Sequence, residues 1–188
     1  MDDRLALLIG KVILAWGLFD QQLHASIVSL ETTLEEPHKK EGRFNERRKL
    51  FRRFCARLAQ DESYISHLDR FCGKLQKLET IRGRMAHGWA WDEPESGGVQ
   101  FYDHLEAIDD SMPITPPEWL ISYERLEGLP SEIDNARGEL VGLHLEAARL
   151  CDAREGRPAR IRTRIHRKSD RQSPADQSKP SGTGIGES

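Results

Sequence analysis

Between Leu5 and Leu34 an apolar residue returns every three or four positions: Leu5, Ile9, Val12, Trp16, Phe19, Leu23, Ile27, Leu30 and Leu34. No strand holds that rhythm. It keeps one face of an α-helix apolar for about eight turns. A face that long cannot be left to water, so other helices must cover it. Asp2 or Asp3 can cap the start of this first helix, and Pro37 can stop it. Gly10 and Gly17 each cost about 1 kcal/mol of helix propensity relative to alanine, and leave room for another helix to approach closely. Asp20 and His24 stand four residues apart, a spacing open to a surface hydrogen bond or to a part in a site.

The later chain supplies the covering helices. The spacing of Phe44, Phe51, Phe54, Cys55 and Leu58 predicts a second helix over residues 45–59. Its other side carries Arg43, Arg47, Arg48, Lys49, Arg52, Arg53 and Arg57. Such a face can contact phosphates, with Arg48 and Arg52 as candidate RNA contacts, or it can pair with acidic neighbours in the same molecule. A third helix is expected over residues 61–87, capped by Asp61 or Ser63. Its stripe reads Tyr64, Leu68, Phe71, Leu75, Leu78, Arg82 and Met85. The rhythm asks for an apolar residue at 82 and meets arginine. A guanidinium on a core-facing stripe needs a carboxylate, an anion or an exposed cleft.

Two short β-prone runs, Trp89-Ala90-Trp91 and Val99-Gln100-Phe101-Tyr102, flank a turn-rich stretch and predict a hairpin over about 89–104. Pro113, Pro116 and Pro117 keep the chain extended before a last helix, which begins at Tyr123, or at Ser131 if Pro130 breaks it, and ends near Ala153. The expected architecture is all-α: a four-helix up-and-down-type bundle over residues 1–153 with a small hairpin insertion after the third helix. Residues 154–188 read as a basic, then low-complexity, disordered tail. Between Arg154 and Arg171 eight basic residues face Glu155 and Asp170, in a chain whose net charge is −3. The body is therefore more acidic than the total suggests. The tail can bind nucleic acid or acidic partners, or serve only to keep the chain soluble.

Other classes of function find no support. The three cysteines, Cys55, Cys72 and Cys151, are widely spaced within apolar patterns and read as reduced core thiols of a cytoplasmic protein. Asp2, Asp3 and Arg4 are a poor opening for a signal peptide. Lys11 interrupts the apolar run after them, and no membrane span is expected. No Gly-rich phosphate loop, His-Glu-x-x-His, Cys-x-x-Cys or Gly-x-Ser-x-Gly motif occurs, and no cofactor or metal is expected.

What stands out is Ile81-Arg82-Gly83-Arg84-Met85-Ala86-His87-Gly88 at the end of the third helix. Cutting RNA without a metal needs a group of near-neutral pKa to move a proton, which histidine provides. It also needs a fixed cation for the charge that builds on the phosphate, which an arginine fork provides. Five residues along a helix leave Arg82 and His87 about 140° apart, so they can converge only if His87 leaves the helix at the Gly88 terminus or if a second subunit packed along the third helix supplies the partner. A histidine in the last turn before a C-terminal glycine can equally be a helix cap. The Arg82-x4-His87 pattern with its Ala-His-Gly ending resembles the Arg-x4–6-His signature of the HEPN superfamily. The order of a long aromatic-bearing first helix, the motif at a later helix end, a hairpin and a final helix is also similar over about residues 5–152. The resemblance implies a helical bundle, often a homodimer, and frequently a metal-independent endoribonuclease in toxin–antitoxin or defence settings, with an antitoxin as a further partner. Arg82 would contact the scissile phosphate and His87 would transfer protons, with Arg84 as a secondary RNA contact. The family often places Asn, Asp or His directly after the arginine. Gly83 stands there in this chain and favours the alternative, a non-catalytic helical module that binds RNA or a partner protein.

Overall fold

The computed structural model describes residues 3–36, 42–87, 89–93, 97–102 and 120–157. In chain order these form α1 (Asp3–Leu34), α2 (Phe44–Ala59), α3 (Glu62–His87), β1 (Trp89–Glu93), β2 (Gly98–Tyr102), β3 (Leu120–Ser122) and α4 (Tyr123–Arg154). The architecture is an all-α four-helix bundle with a small antiparallel sheet after α3. α1 packs chiefly on α4 and α2, while α2 also packs on α4 and α3.

The apolar stripe of α1 is the spine of the core. Leu5, Val12, Phe19, Leu23, Ile27 and Leu30 are buried, and Phe51 and Phe54 of α2, Phe71 of α3 and Leu126, Ile133 and Leu140 of α4 close around them. Burying a side chain of this size stabilises the fold by about 1.5–3 kcal/mol. The opposite face of α1 is different. Leu7, Leu14, Leu18 and Val28 are exposed, and a Cβ added at Gly10 or Gly17 would meet nothing within 4 Å. The close helix approach expected at these glycines does not occur among the described residues, because both lie away from the core-facing stripe. By length and composition α1 is also apolar enough to cross a membrane, against the expectation drawn from Lys11, although its inner face is occupied by α2 and α4.

Local rules account for the helix ends. α1 ends when Glu35 turns left-handed (φ 53°) and the Glu36 amide donates to the Glu31 carbonyl at 3.2 Å. Pro37, the expected stop, lies outside the described residues. Asp61 caps α3, its Oδ1 accepting from the Tyr64 amide at 2.7 Å. Ser122 caps α4, its hydroxyl accepting from the Arg125 amide at 3.1 Å. Pro130 lies inside α4 and does not break it. A proline there costs about 3 kcal/mol, but Leu126, Leu129 and Ile133 are buried on either side, and their burial keeps the helix continuous.

The sheet is larger than a hairpin. β1 pairs antiparallel with β2 from Trp89↔Tyr102 to Glu93↔Gly98, and β3 adds to β2 through Val99↔Ile121. Val99, Phe101 and Ile121 turn into the core. A Cβ at Gly98 would lie 2.9 Å from the Ile121 carbonyl oxygen, so only glycine lets β3 approach β2 this closely. The Tyr123 amide donates to the Gly97 carbonyl at 3.3 Å and ties the start of α4 to the hairpin turn. The tail reading from residue 158 onward lies outside the described residues.

Candidate functional site

The α3 stripe is buried as its spacing requires: Tyr64, Leu68, Phe71, Leu75, Leu78 and Met85 all face the core. Arg82 sits on the same stripe and is half-buried. Its guanidinium carbon lies 5.5 Å from the centroid of the Trp16 ring of α1. Trp16 in turn packs on Phe44 (centroids 4.7 Å apart) and Phe19 (5.5 Å). Arg82 therefore caps an aromatic cluster built by α1 and α2. A cation over a ring is stabilised by about 0.5–2 kcal/mol. The Arg82 Nε is buried without a hydrogen-bond partner, and no carboxylate pairs with this guanidinium among the described residues. A partly desolvated cation held in this way has unused capacity for an anion.

The arginines of α2 show the contrast. Arg47 Nη2 reaches both carboxylate oxygens of Asp20, at 2.7 and 2.8 Å. Asp20 thus serves α2, while His24 is exposed. Arg57 and Arg53 both pair with Glu36. Arg48 donates to the Cys72 carbonyl at 2.8 Å and to Gln76 Oε1 at 3.3 Å, joining α2 to α3, and to Asn45 Oδ1 of its own helix at 2.6 Å. Arg52 forks onto Asp69, with Nη2 to Oδ2 at 2.9 Å. That bond raises the Arg52 pKa and holds the Asp69 carboxyl below its usual range. Of the two readings of this basic face, pairing with acidic neighbours describes Arg47, Arg52, Arg53 and Arg57. Arg48 and Arg52, the candidate RNA contacts, both have partners inside the fold. Arg154 and Arg157, at the start of the basic tail, are likewise engaged, by the Leu58 carbonyl and by Asp152 with Glu155.

His87 is the last residue of α3. Since the helix runs to it, the backbone keeps positions 82 and 87 about 140° apart around the axis. The His87 side chain and Gly88 lie outside the described part of the chain. Arg84 is half-buried on a different side of α3 from Arg82. A Cβ at Gly83 would meet nothing within 4 Å. Gly83→Ala is therefore expected to raise stability by about 1 kcal/mol in urea denaturation, through helix propensity alone. A loss of stability would show that the backbone at 83 needs glycine.

Two of the thiols are poor nucleophiles. Burial pushes Cys55 up to about 12 and Cys72 up to about 11, so both are protonated near neutrality. Among the described residues no group of three or more His, Cys, Asp or Glu side chains is placed to hold a metal ion.

A second polar feature lies one face away from Arg82. Arg70, Gly73, Lys74, Lys77 and Leu78 of α3, with Arg125 and Glu132 of α4, line an open groove of about 480 Å³. The sequence reading missed these residues. The spacing of Arg70, Lys74 and Lys77 was a readable signal, since steps of four and three place them on one helix face. Arg125 joins them only through the packing of α4.

No family model, curated protein or solved structure matches the chain.

Proposed function

We propose that this chain is a metal-independent endoribonuclease of HEPN type, in which Arg82 binds the scissile phosphate and His87 moves the proton. The observation that carries this reading is the state of Arg82: half-buried, seated on Trp16, with no carboxylate partner among the described residues. The aromatic cluster beneath it fixes the guanidinium in place. A fixed donor aimed where charge develops stabilises a transition state more than a mobile one does.

In the reaction, a 2′-hydroxyl loses its proton and its oxygen attacks the adjacent phosphorus. The bond from phosphorus to the 5′-oxygen breaks, and that oxygen gains a proton. The products are a 2′,3′-cyclic phosphate and a free 5′-hydroxyl. The 140° between positions 82 and 87 favours a site shared by two subunits, each supplying one of the pair. A homodimer packed along α3 meets that requirement, and an antitoxin-type partner would act by covering the shared cleft. The second reading is a non-catalytic module that binds RNA or a protein. Gly83 favours it, because the position directly after Arg82 carries no polar side chain.

Purified protein incubated with RNA in a chelator tests the two against each other. Cleavage leaving 2′,3′-cyclic ends, and lost in His87→Ala by about 10²–10⁴-fold, is the expected result. Cleavage that needs a divalent metal, or that survives His87→Ala, rules the mechanism out. RNA binding without any cleavage selects the second reading.

A further inference from the structure

We propose that the groove between α3 and the start of α4 is a track for the phosphate backbone of single-stranded RNA, leading to the Arg82 end of α3. This rests on the RNA reading of that end, but it is a claim about binding and not about cleavage.

Four cations, Arg70, Lys74, Lys77 and Arg125, line the groove against one carboxylate, Glu132. Two of the four are already neutralised. Arg125 pairs with Glu132, and Lys74 reaches Glu139 at 3.3 Å, an oxygen pair that His67 also approaches. The surplus charge rests on Arg70 and Lys77. Both are exposed, and no ion pair forms at either among the described residues. In an acidic body, two such cations beside a low-dielectric wall concentrate positive potential in one place.

The direction of the groove follows from helical register. Arg70, Lys74 and Lys77 lie on one line along α3, and Arg84 falls on the same line two turns further on. Arg70 to Arg84 spans about 21 Å at 1.5 Å per residue. That line ends beside the turn that carries Arg82 and His87. A polyanion laid along this line is brought to the same end of α3 as Arg82, on a different side of the helix.

One line of cations along a single helix matches one backbone strand, which makes a single strand the fitting occupant of this open groove. Its floor is suited to close contact. A Cβ at Gly73 would meet nothing within 4 Å, so the helix backbone is bare at the middle of the cationic line.

The test measures anisotropy of a labelled single-stranded RNA oligonucleotide with the full chain carrying His87→Ala, so that the probe stays intact. In that background Arg70→Glu/Lys77→Glu is compared with Lys11→Glu/Arg137→Glu, the same charge change placed elsewhere. The groove variant is expected to lose at least about tenfold in affinity. Its salt slope should fall by about 1.4, which is about 0.7 for each of two phosphate contacts. The milder Arg70→Gln/Lys77→Gln pair, melting like the parent, should show the same direction and so exclude misfolding. Equal loss in groove and control variants, or an unchanged slope, overturns the proposal. So does a parent that binds no RNA. Binding through the groove by a chain that never cleaves RNA leaves the track standing and removes only the nuclease.

Discussion

Arg82→Met is expected to lower RNA cleavage by about 10²–10³-fold while leaving the protein as stable as before, or slightly more so. The two effects separate because Arg82 occupies an apolar position. It stands on the buried stripe between Leu78 and Met85. Methionine is unbranched, of similar reach, and fits irregular core gaps. The exchange removes a cation–π contact worth about 0.5–2 kcal/mol. It also removes a buried nitrogen without a partner, which costs about 1–3 kcal/mol. The balance lies near zero or on the stabilising side. Urea denaturation and a cleavage assay on the same preparation decide the matter. A loss above about 2 kcal/mol, with activity falling only in step with the folded fraction, would make Arg82 a structural residue and overturn its proposed role as a phosphate ligand.

Trp16→Ala is expected to destabilise the fold by about 3–5 kcal/mol. For a domain of this size that lowers the melting temperature by about 10 °C. Trp16 is buried, and it supports Phe19 and Phe44 as well as Arg82. Deleting it leaves a cavity where α1 meets α2, which the surrounding helices can fill only in part. The informative companion is Trp16→Leu. It restores most of the volume and withholds the aromatic face. Stability should largely recover, while cleavage should stay low because Arg82 has lost its seat. Combining Trp16→Leu with Arg82→Met then adds little further loss of activity, as expected for two residues acting as one unit. Recovery of activity in Trp16→Leu would show that the ring does not position the guanidinium.

The readable part of this protein is the part written in local periodicity. The stripes of α1 and α3 appear in the chain as steps of three and four, and nearly every residue so chosen is buried. The hairpin was legible from its β-prone runs and the turn between them. β3 was not, because three residues carry no period and their pairing with β2 is made across a long gap in sequence. Pro130 was ambiguous for a related reason: a local rule opposes the helix, and only the burial of Leu126 and Ile133 outweighs it.

The site divides along the same line. That residue 82 breaks an apolar stripe is a fact of the sequence alone. So is the angle between positions 82 and 87, since helical geometry sets both. What the Arg82 guanidinium rests on was decided by tertiary structure, because Trp16 lies on another helix. The arginines of α2 show this most plainly. In sequence they are one basic face with two possible fates. Packing sets Asp20, Glu36 and Asp69 beside them, and partners brought close by folding are invisible in the spacing of any single helix. The groove completed by Arg125 has the same origin. Periodicity is a property of one helix, whereas charge pairing and clefts belong to the distances between helices, which hydrophobic burial sets.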